Sequence, residues 1–267
     1  FCPLGELGAP YYYIFSSEMN PNFFITEPKK KPYALCLTPS ILIRMRSNRN
    51  LGDRSFAVRT PSYRVKIRGF YALQPTRANQ YHYLEGQYVH HSNGQDGFVL
   101  QPNGQINTLT GSFSTNYAYI SYNSGKIEGL KHQFWKVGLE WHPWFVYHDP
   151  ALLENYGFSR IHYDWMFKQS KTYSETENDK TTYSFTERWR LQFKNSYAIN
   201  KLKACPLRDW HRRLNTEVIF NYLPKVESNA GFYLAAGYYG EDPYNIFFLD
   251  QYPFVRVGFC TIPFTGR

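Results

Sequence analysis

The feature that most constrains this chain is a period of two that recurs along most of its length. Tyr63, Val65, Ile67, Gly69, Tyr71 and Leu73 alternate with Arg64, Lys66 and Arg68. Successive side chains of a strand point to opposite faces, so this segment has one apolar face and one charged face. The pattern returns in Trp135, Val137, Leu139 and Trp141 against Lys136, Glu140 and His142, and in Ile161, Tyr163, Trp165 and Phe167 against Arg160, His162, Asp164 and Lys168. Tyr183, Phe185, Trp189, Leu191 and Phe193 follow it as well, with Glu187 interrupting the apolar row. The runs extend over about 11–15 residues, longer than the about 5–6 common in soluble sheets and close to a tilted membrane strand.

Composition separates the two ways of using such strands. Aromatic residues make up 19% of the 267 residues, and the mean hydropathy is −0.53. No run approaches the ~18 apolar residues of a membrane-crossing helix. An aromatic-rich, polar-average chain of alternating strands fits a barrel whose apolar rows meet lipid and whose charged rows line the interior. The expected fold is all-β, a twelve-stranded antiparallel transmembrane β-barrel. It forms a single domain over residues 1–267 after an irregular lead-in at residues 1–10. Counting gives 11–12 strands, and closed barrels favour even numbers.

The first strand is expected over Tyr11–Ser17. Two more, Tyr33–Thr38 and Ile41–Arg46, flank a turn at Pro39-Ser40. Long connections fall at 93–112, 148–157, 195–211 and 240–251, and short turns at 75–80 and 223–230. The polar segment 169–180 reads as a long loop on the short-turn side. Interior rows of both charge signs point to a lumen filled by ion pairs rather than an open pore. Phe1-Cys2-Pro3 reads as a mature N-terminus left after removal of an export signal.

The formal charge of +9 suits a surface that meets anionic lipid or lipopolysaccharide phosphates; no nucleic-acid-binding motif accompanies it. Cys2, Cys36, Cys205 and Cys260 contain no CxxC pair. Up to two disulfides, or unpaired buried thiols, are both open. His132, His142, His148 and His162 have no partner at metal-site spacing and read as girdle or lumen residues. Trp135, Trp141, Trp144 and Trp165 read as an interface belt.

One stretch carries chemistry. Tyr88-Val89-His90-His91-Ser92-Asn93-Gly94-Gln95 ends a strand in a turn signal, and Ser112-Phe113-Ser114-Thr115-Asn116-Tyr117-Ala118-Tyr119 begins the next strand. His90 and Ser92 share a face, and Asn116 falls beside His90 if the two strands pair. That is a nucleophile, a base and an amide able to orient the base. The three continue the rows of Leu84, Gly86 and Tyr88, and of Ala118, Ile120 and Tyr122. In a membrane barrel those rows face lipid, where polar side chains are costly. A hydrolytic set there suits a membrane lipid as substrate.

These residues resemble the outer-membrane phospholipase A family. His90-His91-Ser92-Asn93-Gly94 is similar to its His-x-Ser-Asn-Gly run. Ser112-Phe113-Ser114-Thr115-Asn116, followed by Tyr119, is similar to its Ser-x-Ser-x-Asn signature. Trp141-His142-Pro143-Trp144-Phe145-Val146, Tyr238-Tyr239-Gly240-Glu241 and Val255-Arg256-Val257-Gly258 look like later family strands. The resemblance implies a bacterial outer-membrane, calcium-dependent hydrolase of phospholipid acyl esters, active as a homodimer. It implies Ser92 as nucleophile, His90 as general base, Asn116 as its orienting residue and the Gly94 N–H at the oxyanion. It implies calcium held by the Ser112 hydroxyl and the Gln95 carbonyl, with Ser55 contributed across the dimer. The chain departs from the family in Gln95, where arginine is usual, and in a longer loop from Asp96 to Gly111. Asp96 is a further candidate calcium ligand. The chain also ends Phe264-Thr265-Gly266-Arg267 rather than on an aromatic residue. The competing expectation is a non-catalytic barrel that keeps the motif and serves as a scaffold or subunit of a larger envelope complex. An open diffusion porin fits the charged interior rows less well.

Overall fold

A computed structural model describes the chain except for residues 1–5, 11–12, 27–30, 47–59, 75–76, 144–147, 178–179, 225–229 and 262–267. It is nearly all antiparallel sheet, with twelve strands: β1 (Tyr13–Met19), β2 (Phe23–Phe24), β3 (Tyr33–Arg46), β4 (Ser62–Leu73), β5 (Gln80–Ser92), β6 (Ser114–Glu128), β7 (Lys131–Trp141), β8 (Ser159–Glu177), β9 (Lys180–Ala198), β10 (Leu214–Tyr222), β11 (Ala230–Tyr239) and β12 (Tyr252–Thr261). Each strand from β3 onward pairs with the next, and β1 and β2 both lie on the edge of β3. Among the described residues, β1 and β12 share no ladder. A bridge from the lead-in reaches β12 at the seam: Leu7 N donates to Val255 O at 3.0 Å, and Val255 N donates to Leu7 O at 2.9 Å.

The alternation sorts side chains as the sequence dictates. Val65, Ile67, Leu84, Val137, Leu139 and Ile161 are all exposed on the outer wall. The inner wall carries ion pairs, among them Arg68–Glu85 at 2.6 Å and Lys136–Asp164 at 2.7 Å. Arg160 pairs with Glu241, and Arg256 with Glu217. Across the seam, Arg44 on β3 donates to both oxygens of Asp242 at 2.8 Å and pairs with Glu6 at 3.1 Å. Contacts between strands far apart in the ladder require the sheet to curl into a barrel.

The structure corrects two segments. Residues 33–46 form one strand, not two around a turn. Met19 pairs with Ile41 and Phe23 with Leu37, so Pro39 lies opposite the break between β1 and β2. A residue without an N–H is tolerated where the neighbouring edge strand leaves the ladder. Pro39 therefore stays in register with Val65 on the other side. Residues 169–177 are likewise strand, not loop. β8 and β9 pair with each other out to Glu177 and Lys180, beyond the last pairings of β7 at Gln169 and of β10 at Trp189. A polar Ser/Thr run satisfies its backbone within its own hairpin and so needs no apolar core.

A bulge at the root of this hairpin explains Glu187. Gln169 pairs with Trp189 but Ser170 pairs with Glu187, which leaves Arg188 extra. An inserted residue reverses the facing of everything beyond it. Glu187 therefore turns inward, where Arg190 reaches it at 2.7 Å.

Three of the long connections meet over one end of the barrel. Val99, Phe113, Leu152, Tyr156, Ile246 and Phe248 come from them and form a buried cluster. Below this plug the interior keeps a cavity of about 690 Å³. Ion pairs thus fill only part of the lumen. Cys36, Cys205 and Cys260 carry free thiols. Cys2 lies outside the described residues, and no disulfide joins the other three.

Candidate active site on the outer wall

Strand register places the chemistry. Thirteen consecutive pairs join β5 to β6, from Gln80↔Lys126 to Ser92↔Ser114, with His90 opposite Asn116. Val89 and His91 are buried inside, at 0% and 3% exposure, and so is Thr115 at 0%. The parity of the pleat sends His90, Ser92 and Asn116 to the outer wall, where all three are half-buried. His90 Nδ1 lies 2.9 Å from Asn116 Oδ1. An amide oxygen only accepts, so this contact fixes Nδ1 as the protonated nitrogen and leaves Nε2 as the acceptor. Tyr88, two residues back on the same face, donates its hydroxyl to the same Oδ1 at 3.2 Å. Two donors on one oxygen set the amide orientation.

Ser92 sits on the His90 face but makes no hydrogen bond to that ring among the described residues. Nucleophile–base contacts are often loose without substrate. The structure thus joins His90 to Asn116 directly and Ser92 to them by position.

The turn after Ser92 is held by Asn93, which is 2% exposed. Its Oδ1 accepts from Phe113 N at 2.8 Å and Gln95 N at 3.2 Å, and its Nδ2 donates to Gly111 O at 2.8 Å. That clamp sets Gly94 at φ +67°, in the left-handed region that suits glycine. The Gly94 N–H makes no hydrogen bond among the described residues. Beneath the outer residues, Phe113 is 1% exposed and packs edge-on against His91 at 4.8 Å. Ser62 Oγ meets His91 Nε2 at 2.6 Å. Thr115 Oγ1 meets His142 Nδ1 at 2.6 Å, and His142 Nε2 lies 3.1 Å from Glu140. Burial holds the His142 pKa below its ordinary value, outweighing the hydrogen bond it donates to Glu140, which acts to raise it. The ring is neutral at pH 7, with Thr115 donating to Nδ1.

The expected calcium ligands lie on the two arms of the 93–113 loop. Ser112 N donates to Gly97 O at 2.8 Å, and Gln95 N is held by Asn93, so the loop neck carries both residues. A hydroxyl and a carbonyl are hard oxygen donors of the kind calcium takes. Both are neutral, and the carboxylate next to them in sequence, Asp96, is exposed. The donor chemistry fits calcium, with Asp96 the neighbouring source of negative charge. Ser55 lies outside the described residues.

Three residues of this arrangement escaped the sequence reading. Tyr88 was visible as an alternation partner of His90 but reads as an ordinary lipid-facing aromatic. Asn93 reads as a turn residue; its clamp across 18 residues to Gly111 depends on the folded loop. Tyr63, paired with Ser92 across β4, approaches Gly94 only through the register.

Fold and site together define a barrel of the outer-membrane type with a His–Asn pair set into its outer wall. No family model and no curated protein matches the sequence. Among solved structures, outer membrane phospholipase A from Escherichia coli superposes with a TM-score of 0.57 at 14% identity, covering 92% of this chain and 77% of that one. At that identity the likeness speaks for the fold: this chain has the fold of an outer-membrane phospholipase A.

Proposed function

We propose that this chain is a calcium-dependent phospholipase of the bacterial outer membrane that hydrolyses acyl esters of phospholipids at the wall of its barrel. The observation that carries the reading is the 2.9 Å contact of His90 Nδ1 with Asn116 Oδ1 on the apolar exterior. A polar pair on a lipid-facing wall is costly for folding alone, and its placement beside Ser92 gives it a use. Ser92 Oγ attacks the ester carbonyl. His90 Nε2 takes its proton and returns it to the leaving alcohol. Asn116, oriented by the Tyr88 hydroxyl, keeps His90 in the tautomer that can accept. The Gly94 N–H donates to the oxyanion. Ser112 and Gln95, with Asp96 beside them, would hold calcium, which supplies further positive charge at the oxyanion when bound. Lipid esters reach the site from the membrane itself, with lipopolysaccharide phosphates at the rim. A homodimer would complete the calcium shell through Ser55.

A second reading has its own observation: Ser92 is not hydrogen-bonded to His90, as in a barrel that keeps the motif without the activity and serves as a scaffold. Refolded protein in detergent micelles with calcium and a phospholipid substrate separates the two. The hydrolase releases fatty acid, and Ser92→Ala abolishes it while chelation suppresses it. Intact barrel without fatty-acid release, at any calcium concentration, leaves the scaffold reading standing.

A further inference from the structure

The cavity inside the barrel is a second place where chemistry converges, and it owes nothing to the outer-wall site. Its wall holds Arg64 from β4, Lys194 from β9 and Glu18 from β1. Lys66 is two residues along the same inward face of β4, and its charge interacts with Glu18 and Lys194. Strands β4 and β9 are five positions apart in the ladder, so these cations face one another across the interior.

Most inner charges are neutralised in place. Arg256 has Glu217, Lys136 has Asp164, Arg190 has Glu187, and Arg44 has Asp242 and Glu6. Arg64, Lys66 and Lys194 are different: among the described residues none has a carboxylate within 4.0 Å. Arg64 Nη2 donates to the plug, to Pro243 O at 2.6 Å, and its buried Nε has no hydrogen-bond partner. The side chains of Lys66 and Lys194 make no hydrogen bond among the described residues. Glu18 interacts with all three, and the other carboxylate near Lys194, Asp164, is already paired with Lys136. Three cations against one anion leave a net positive charge between low-dielectric walls, which concentrates an attractive field for anions. The buried cluster of the three connections lies over one end. At the other the cavity reaches Ala230, Phe259 and Cys260 at the far ends of β11 and β12. Lys194 and Glu18 remain accessible to water within it.

We infer that the interior is a one-ended binding cavity for a small polyanion, a molecule with phosphate-like groups at two positions, held between the β4 cations and Lys194 and entering opposite the plug. Two anionic groups match cations on opposite walls, so a diphosphate binds better than a single sulfate.

The test is equilibrium dialysis of the full chain in neutral detergent with labelled inorganic pyrophosphate. The expected result is saturable binding of one pyrophosphate per chain, weakened by added salt and outcompeting sulfate. Lys66→Met/Lys194→Met weakens it by about tenfold or more, while the exposed Lys131→Met leaves it unchanged. Heat-modified gel migration checks that each variant is folded. If the double variant does not fold, the single variants and Arg64→Met are each expected to weaken binding. Absence of saturable binding to the unaltered chain, or equal affinity in folded Lys66 and Lys194 variants, overturns the inference. Fatty-acid release by the outer-wall site is read separately and bears on neither outcome.

Discussion

Removing the Asn116 amide is the sharpest probe of the outer-wall chemistry. In Asn116→Ala, His90 Nδ1 loses the acceptor at 2.9 Å. During the reaction the imidazole becomes an imidazolium, and a hydrogen bond to a charged group contributes about 1.5–3 kcal/mol. At about 1.4 kcal/mol per tenfold, that is a loss of roughly 10–150-fold in turnover. The barrel should persist, because Asn116 is half-buried on the exterior and its backbone pairing is unchanged. Tyr88→Phe removes only the neutral donor at 3.2 Å, whose contribution of about 0.5–1.5 kcal/mol predicts a loss of roughly 2–10-fold. The Tyr88 hydroxyl acts through the amide, so the two effects are not additive. In an Asn116→Ala background, Tyr88→Phe should change nothing further. The assay is initial fatty-acid release from phospholipid–detergent micelles with saturating calcium, beside gel migration before and after heating. Two results would refute the reasoning: turnover of Asn116→Ala within twofold of the unaltered chain, or a full additional Tyr88→Phe loss on top of it.

Gly94→Ala has room for its methyl, whose nearest neighbour is the Tyr63 ring at 3.7 Å, but not the backbone freedom for φ +67°. It should cost about 1–2 kcal/mol in loop geometry and lower turnover at unchanged substrate affinity; full activity would remove Gly94 from the oxyanion. Arg44→Met strands Glu6 and Asp242, both nearly fully buried. It should destabilise by about 3–5 kcal/mol, seen as a lower urea midpoint; an unchanged midpoint would show that the seam does not depend on this cluster. His142 is neutral and buried with its pKa below the ordinary 6.5. The unfolded chain therefore binds the extra proton as pH falls below about 6.5, and stability falls with it. His142→Asn should flatten the urea midpoint between pH 7.5 and 5.5, and a midpoint that rises on acidification would contradict the assignment.

Much of this was legible in the order of residues because a strand has a period of two. Alternation put Val65, Leu139 and Ile161 on one face and Arg64, Glu140 and His162 on the other, and composition made the first face outward. Once β5 and β6 are neighbours, His90 meets Asn116 by counting. Where the reading failed, the cause was a break in periodicity that only neighbours explain. Pro39 looked like a turn because its tolerance depends on what lies opposite, the gap between β1 and β2. Glu187 looked like a flaw in an apolar face because the bulge at Arg188 is set by pairing with β8. The 169–180 segment looked like a loop because a polar hairpin satisfied by its own ladder has no apolar signature.

Local chemistry along the chain determined which side chains share a face, since facing follows from pleat parity within one strand, and the aromatic-rich composition assigned the apolar face to lipid. It determined the residue types of the outer-wall set as well. Contacts between segments far apart in sequence needed the folded barrel. Asn93 clamping Gly111, the Tyr88 hydroxyl on the His90-bound amide oxygen, the plug of three connections and the facing of Lys66 and Lys194 all depend on how the sheet curls. Curvature is a property of the whole ladder, and no single strand carries it.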